Sequence, residues 1–205
     1  MEGLGVIAKH EEATPWCHPI VNVPKKITNE LRICIDFTAL NKHIQREYHL
    51  SSSPFDEVTS ILIHFHINEL VYFCKFDARH GYWQVPLHPD SRPLTCFITL
   101  FGRYVCCRAA FGINSISEWY NRRMDKVVVG LEGIRKIVDD ILIFAPSLDL
   151  LHQRVHAFLL RCQEHGVTLK KSKSQLAVTE VDFGGFRLSV PLTGIQSSPD
   201  LLKAG

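Results

Sequence analysis

Ile137-Val138-Asp139-Asp140-Ile141-Leu142-Ile143-Phe144 is an apolar run interrupted by two adjacent carboxylates. Val, Ile and Phe at this density favour strand. Successive strand side chains face opposite ways, so an acid pair in mid-strand would drive at least one charge into a core. The conflict disappears if Asp139 and Asp140 sit at the turn of a tight hairpin, with strands on either side and the carboxylates at a surface cleft. A third aspartate, Asp77, ends another apolar run, Val71-Tyr72-Phe73-Cys74-Lys75-Phe76. Strand-end carboxylates from the two segments, brought together, make an all-oxygen site suited to Mg²⁺. Two such ions about 3.5–4 Å apart are the usual apparatus of in-line phosphoryl transfer. Taken alone, the pair reads as ordinary turn chemistry, which Asp favours for local hydrogen-bonding reasons.

Working outward, Pro19 to Pro24 and Leu31 to Phe37 read as strands joined by a hairpin turn over Lys25 to Glu30. Pro54 opens a helix carrying Val58, Ile61 and Leu62, and a strand then runs to Asp77. Leu94 to Thr99 and Tyr104 to Arg108 flank Phe101-Gly102-Arg103 as a second hairpin. Trp119, Tyr120, Met124 and Val127 share one face of a helix from about Ile116 to Val129. Ser147 precedes another helix, with Leu151, Val155, Phe158, Leu159 and Cys162 on one side and Gly166 as its stop. Short strands at Gln175–Val178 and Val181–Leu188 follow. This order is an α+β pattern.

Composition excludes more than it selects. The chain has 205 residues, 46% of them apolar, enough to bury an ordinary core. A net charge of +2 and a pI of about 8.2 are too mild to establish nucleic-acid binding. Seven cysteines, with no C-x-x-C and with Cys106 and Cys107 adjacent, read as reduced thiols of an intracellular protein, cytoplasmic or nuclear. His152 and His156 share a helix face but lack a third ligand nearby and read as surface histidines. No run approaches the roughly 18 uncharged apolar residues of a membrane span, so no membrane partner is expected.

Several ordered blocks resemble a reverse transcriptase, most of all that of gypsy-type long-terminal-repeat retrotransposon polyproteins. Leu31-Arg32-Ile33-Cys34-Ile35-Asp36-Phe37 with Leu40-Asn41-Lys42 is similar to the family's fingers strand. Phe76-Asp77-Ala78-Arg79-His80-Gly81-Tyr82-Trp83-Gln84 is similar to its first catalytic block. Phe101-Gly102-Arg103-Tyr104 and Phe111-Gly112-Ile113-Asn114-Ser115 resemble two further segments, and Ile137 to Leu142 the second catalytic block. Val181 to Phe186, followed by Gly194-Ile195, looks like the primer grip. Some positions depart from the pattern: Ala110 replaces a Pro, Gly184-Gly185-Phe186 replaces Leu-Gly-His, and Ser174 replaces a Cys. These departures fit a diverged or truncated copy.

The resemblance implies a polymerase palm, an antiparallel sheet backed by two helices as in ferredoxin or RNA-recognition folds, with partial fingers and no thumb. Residues 1–50 and 85–114 would be N-terminally shortened fingers, 51–84 and 115–190 the palm, and 191–205 the start of the missing thumb. Asp77, Asp139 and Asp140 are then the catalytic and metal-binding residues, holding two Mg²⁺ ions, with Mn²⁺ as the substitute metal. Lys25 (or its neighbour Lys26) and Arg32 would contact the incoming triphosphate. Tyr82 would lie under the sugar and exclude a 2′-hydroxyl, and Phe111 and Gly112 would lie beside the nucleotide. Gly184 and Gly185 would approach the primer, although glycines there equally suit a bulge. The expected partners are a primer–template, deoxynucleoside triphosphates, and thumb, ribonuclease H and integrase regions of a polyprotein. The implied function is template-directed DNA synthesis from RNA or DNA by two-metal nucleotidyl transfer. The alternative is a catalytically silent retroelement remnant that only binds RNA or a partner.

Overall fold

The computed structural model describes residues 1–24, 31–46, 48–49, 53–64, 70–189 and 196–197. Two compact units emerge, one built from Met1–Tyr48 and His80–Tyr120, the other from His49–Arg79 and Asn121–Gly205. In chain order the elements are β1 (Ile7–Lys9), β2 (Ile20–Pro24), β3 (Leu31–Ile35), α1 (Thr38–Asn41), α2 (Pro54–His64), β4 (Tyr72–Asp77), β5 (Phe97–Thr99) and β6 (Gly102–Cys106). They continue with α3 (Ile116–Val128), β7 (Ile134–Ile137), β8 (Asp140–Ala145), α4 (Leu148–Glu164), β9 (Gln175–Val178), β10 (Glu180–Phe183), β11 (Phe186–Ser189) and β12 (Gln196–Ser197).

The second unit is organised by a four-stranded antiparallel sheet in the order β7-β8-β4-β9. Its central strands are mostly apolar because both faces are covered over most of their length. Register fixes which residue goes where. Phe73 pairs with Phe144, Lys75 with Leu142 and Asp77 with Asp140, so these six side chains share one face. On that face Phe73, Leu142 and Phe144 are buried with Val58 and Ile61 of α2 and with Val181, Phe183 and Leu188 of the β10–β11 hairpin. Each such ring contributes about 1.5–3 kcal/mol by leaving water. The same face turns from apolar to charged along its length, ending at Asp77 and Asp140. The opposite face takes α4, where Phe158 meets Phe76 with ring centroids 5.6 Å apart. It also takes the later part of α3, through Lys136 of β7 hydrogen-bonded to Asn121 and paired with Asp125. Two helices therefore back this sheet.

The first unit holds a three-stranded sheet, β1-β6-β5, and the β2–β3 hairpin, all antiparallel. Its core gathers Ile35, Phe37, Leu40, Phe97, Cys106, Ala109, Ile113 and Ile116. Buried His18 is satisfied within it by the carbonyl of Leu94 at 2.9 Å and packs edge-on against Phe37.

Several expectations need correcting. Trp119 and Leu159 lie on the outer sides of their helices, 52% and 43% exposed, while Tyr120, Met124 and Val127, and Leu151, Phe158 and Cys162, form the buried stripes. Val181–Leu188 is not one strand: Gly184 and Gly185, both at positive φ, turn it into the β10–β11 hairpin. The turn between β5 and β6 is Leu100-Phe101, with Gly102 already in β6. All seven cysteines are free thiols, as read. Among the described residues no helix is long and apolar enough to cross a membrane. The turn carrying Lys25 lies outside the described residues, as do Gly194 and Ile195; Arg32 pairs with Val23 in the β2–β3 ladder, and its side chain is likewise undescribed.

Candidate functional site

The acid hairpin is tighter than its sequence suggests. Ile137 and Asp140 pair directly, so the two-residue turn is Val138-Asp139 and Asp140 is the first residue of β8, not part of the turn. Val138 sits at φ +52°, a conformation that costs a β-branched residue on the order of 1–3 kcal/mol. The amide of Ala78 braces that turn by donating to the Asp139 carbonyl at 3.3 Å, and the amide of Lys170 ties down the end of β4 by donating to the Asp77 carbonyl at 2.8 Å. Asp77 and Asp140 face each other across β4 and β8. Directly opposed residues of such a pair have Cβ atoms about 4.5–5.5 Å apart.

Asp77, Asp139 and Asp140 line one cavity of about 680 Å³, together with Lys75, Ile137, Val138 and the Ser172–Gln175 segment. Asp77 is therefore on the same side as the acid turn. Among the described residues, no three His, Cys, Asp or Glu side chains stand as a ready cage for a metal ion. Two lysines that sequence reasoning did not single out lie among these carboxylates. Lys173 Nζ donates to Asp77 Oδ2 at 2.8 Å, and Lys75 Nζ lies 3.0 Å from Asp140 Oδ2. Three carboxylates and two ammonium groups leave these five side chains with one net negative charge. Lys75 was legible in principle, since it lies two residues before Asp77 and so on the same strand face. Lys173 belongs to a basic run that from sequence reads only as solvated surface.

By chemistry the carboxylate oxygens of this cavity are of the type a hard divalent cation takes, and in this structure two of the three carboxylates are paired with ammonium groups. Asp77 and Asp139, at a strand end and in the facing turn, would hold the ions, with Asp140 completing the acidic cluster.

Gly184 and Gly185 form the β10–β11 turn and lie over this hairpin. A Cβ on Gly184, at φ +59°, would run into Cδ1 of Ile137 and come within 3.1 Å of Pro54 Cβ. The backbone of β10 is also tied to the site strand, because Lys75 Nζ donates to the Asp182 carbonyl at 2.8 Å.

The first unit brings together another predicted group. Tyr82 lies in a one-turn 3-10 helix, Gly81–Gln84, with its ring 4.9 Å from Phe111 and 5.6 Å from Tyr120. Gly112 is at φ +99°, and a Cβ there would stand 3.0 Å from the Ile35 carbonyl, so glycine is required. Asn41 clamps the same loop, donating to the Gly112 carbonyl at 2.7 Å and accepting from the Asn114 amide at 3.0 Å. Its clamping role had no signal in the sequence beyond its place beside Leu40 and Lys42.

The chain is similar to several known proteins. A family model described as reverse transcriptase (RNA-dependent DNA polymerase) matches residues 23–188. An uncharacterized protein of Caenorhabditis elegans is 30% identical over 188 residues, which is 91% of this chain and 14% of that protein. The enzymatic polyprotein of cauliflower mosaic virus is 32% identical over 174 residues, 82% of this chain and 24% of the polyprotein. The chain thus spans about a quarter or less of these relatives. In fold it is similar to a foamy viral protease–reverse transcriptase solved with double-stranded DNA, with a TM-score of 0.85 and 22% identity over 98% of this chain and 34% of the other. It is also similar to one solved with an RNA/DNA hybrid, with a TM-score of 0.79 and 23% identity over 97% of this chain and 25% of the other. With a matching family model over most of its length and the same antiparallel architecture, the chain belongs to the reverse transcriptase (RNA-dependent DNA polymerase) family.

Proposed function

We infer that this chain carries out RNA-directed DNA synthesis within a retroelement polyprotein, extending a primer 3′ end with deoxynucleotides by two-metal nucleotidyl transfer. The observation that carries this reading is the convergence of Asp77, Asp139 and Asp140 on one cavity at the charged end of a sheet face. Asp77 and Asp139 would hold two Mg²⁺ ions, or Mn²⁺, beside Asp140. Bound there, the ions would lower the pKa of the attacking hydroxyl and neutralise charge on the triphosphate.

The remaining roles fall to the chain's own side chains. Arg32 and Lys25 supply cations for the triphosphate, a guanidinium suiting phosphate through its bidentate fork. Tyr82, braced by Phe111 and Tyr120, presents a rigid ring that selects against a 2′-hydroxyl. Asn41 fixes the Phe111-Gly112 loop beside the nucleotide. Gly184 and Gly185 keep the hairpin turn free of side chains, which lets backbone approach a primer. The partners are a primer–template, deoxynucleoside triphosphates, and thumb, ribonuclease H and integrase regions of the same polyprotein.

One observation favours a second reading, a silent module that only binds RNA or a protein. Asp77 and Asp140 already carry ammonium partners, so the cluster is tolerable without metal. Mg²⁺-dependent extension of oligo(dT) on poly(rA), by this chain and by a version lengthened with its downstream sequence, separates the two. Extension by either supports the polymerase. Binding of primer–template without extension by both supports the silent module.

A further inference from the structure

The two lysines of the acid cavity are held differently. Lys75 makes two bonds, to Asp140 Oδ2 at 3.0 Å and to the Asp182 carbonyl at 2.8 Å, and only 19% of its side chain is exposed. It is anchored into the sheet. Lys173 comes from a single 3-10 turn, Lys171–Lys173, and reaches Asp77 Oδ2 at 2.8 Å with 55% of its side chain open to solvent. Asp77 beneath it is the more enclosed partner, 17% exposed. An ion pair with so exposed a lysine is weak and readily exchanged. An enclosed carboxylate on a site strand, covered by an exposed and exchangeable cation, is the arrangement expected of a ligand waiting for another cation.

We propose that Lys173 is a resident counterion of Asp77 that a divalent cation displaces, while Lys75 stays in place and keeps Asp140 tied to β10. This rests on the reading of Asp77 as a metal ligand. The ammonium relieves like-charge repulsion among the three aspartates when no metal is bound. Cation affinity is then set by a competition between Lys173 and metal for Asp77.

Mn²⁺ titration followed by EPR measures the competition without any need for turnover. Lys173→Met should tighten Mn²⁺ binding roughly two- to fivefold, the population shift that loss of one exposed ion pair allows. Unchanged or weaker binding overturns the proposal. Amine acylation of the unaltered chain at fixed pH, read by mass spectrometry, gives an independent arm. Saturating Mg²⁺ should raise labelling of Lys173 by roughly two- to fivefold and leave Lys75 protected. A Lys173 equally protected with and without Mg²⁺ overturns it. Asp77→Asn separates the two levels. If that variant loses Mn²⁺ affinity while Lys173→Met gains none, the counterion proposal alone falls; if neither the unaltered chain nor Asp77→Asn binds Mn²⁺, the assignment of Asp77 as a ligand falls with it.

Discussion

Gly184→Ala adds one methyl group where the structure has no room for it. Two costs add. The residue sits at φ +59°, where an L side chain costs about 1–2 kcal/mol over glycine. The new Cβ also collides with Cδ1 of Ile137 and presses on Pro54, and overpacking of this kind costs typically 1–3 kcal/mol. The sum predicts a loss of about 2–5 kcal/mol, measured by urea unfolding followed by circular dichroism. The two parts can be pulled apart. Ile137→Val removes the atom that is struck and leaves φ untouched. The double variant should therefore be less destabilised than the sum of the single changes, by about 1–2 kcal/mol. A loss below about 1 kcal/mol for Gly184→Ala, or simple additivity in the double variant, would refute the claim that this turn packs directly on the acid hairpin.

Tyr82→Val should raise ribonucleotide incorporation relative to deoxynucleotide in any form of the chain that polymerises; an unchanged ratio would return Tyr82 to a packing role against Phe111 and Tyr120. Glu118 is held below the usual carboxylate range: burial raises it, but the Ser117 hydroxyl and the Arg46 guanidinium outweigh that. Its contribution to stability is therefore present above the unfolded glutamate pKa of about 4.3 and lost as pH falls through the depressed folded value. Thermal melts of Glu118→Gln should lie below those of the unaltered chain at neutral pH and converge with them in acid. Burial pushes the Cys106 thiol up to about 11 and Cys162 up to about 12, whereas Cys17 is exposed. A thiol reagent at neutral pH should modify Cys17 in the folded chain and reach Cys106 and Cys162 only on unfolding.

The elements most legible in the sequence are those with strong local signals. The α4 helix carries its own cap, Ser147 accepting from the Leu150 amide, and an apolar stripe at Leu151, Phe158 and Cys162. The acid hairpin was readable because two charges in an apolar run have few sensible places to go. Legibility failed where tertiary contacts decide. Trp119 groups by spacing with Tyr120, Met124 and Val127 on one helix face, but only the packing of α3 reveals that it is left out of the buried stripe the other three form. Gly184-Gly185 reads from sequence as a bulge or a primer approach within one strand, and the β10–β11 register shows a hairpin turn there. Of the candidate site, the gathering of the three aspartates at one cavity was legible from their positions at strand ends. The lysines that neutralise two of them were not, because an ion pair between Lys173 and Asp77 joins segments far apart in the chain and leaves no periodic trace. Asn41 escaped for the same reason, since its partners lie beyond the next stretch of chain at Gly112 and Asn114.

The central claim is that Asp77 and Asp139 hold the catalytic cations. Single-nucleotide incorporation at low salt, on poly(rA)/oligo(dT) with Mg²⁺, tests it through Asp77→Asn and Asp139→Asn, with thermal melts of the same samples. Loss of several kcal/mol of transition-state stabilisation corresponds to a drop of about a thousandfold or more in rate. The account predicts that drop for both variants. Asp139→Asn should melt at or above the unaltered chain, because it removes a charge from a net-negative cluster, whereas Asp77→Asn also gives up its exposed ion pair with Lys173 and should lose no more than about 1 kcal/mol. Incorporation that persists in either variant, or a fall in rate matched by a large fall in melting temperature, would contradict it.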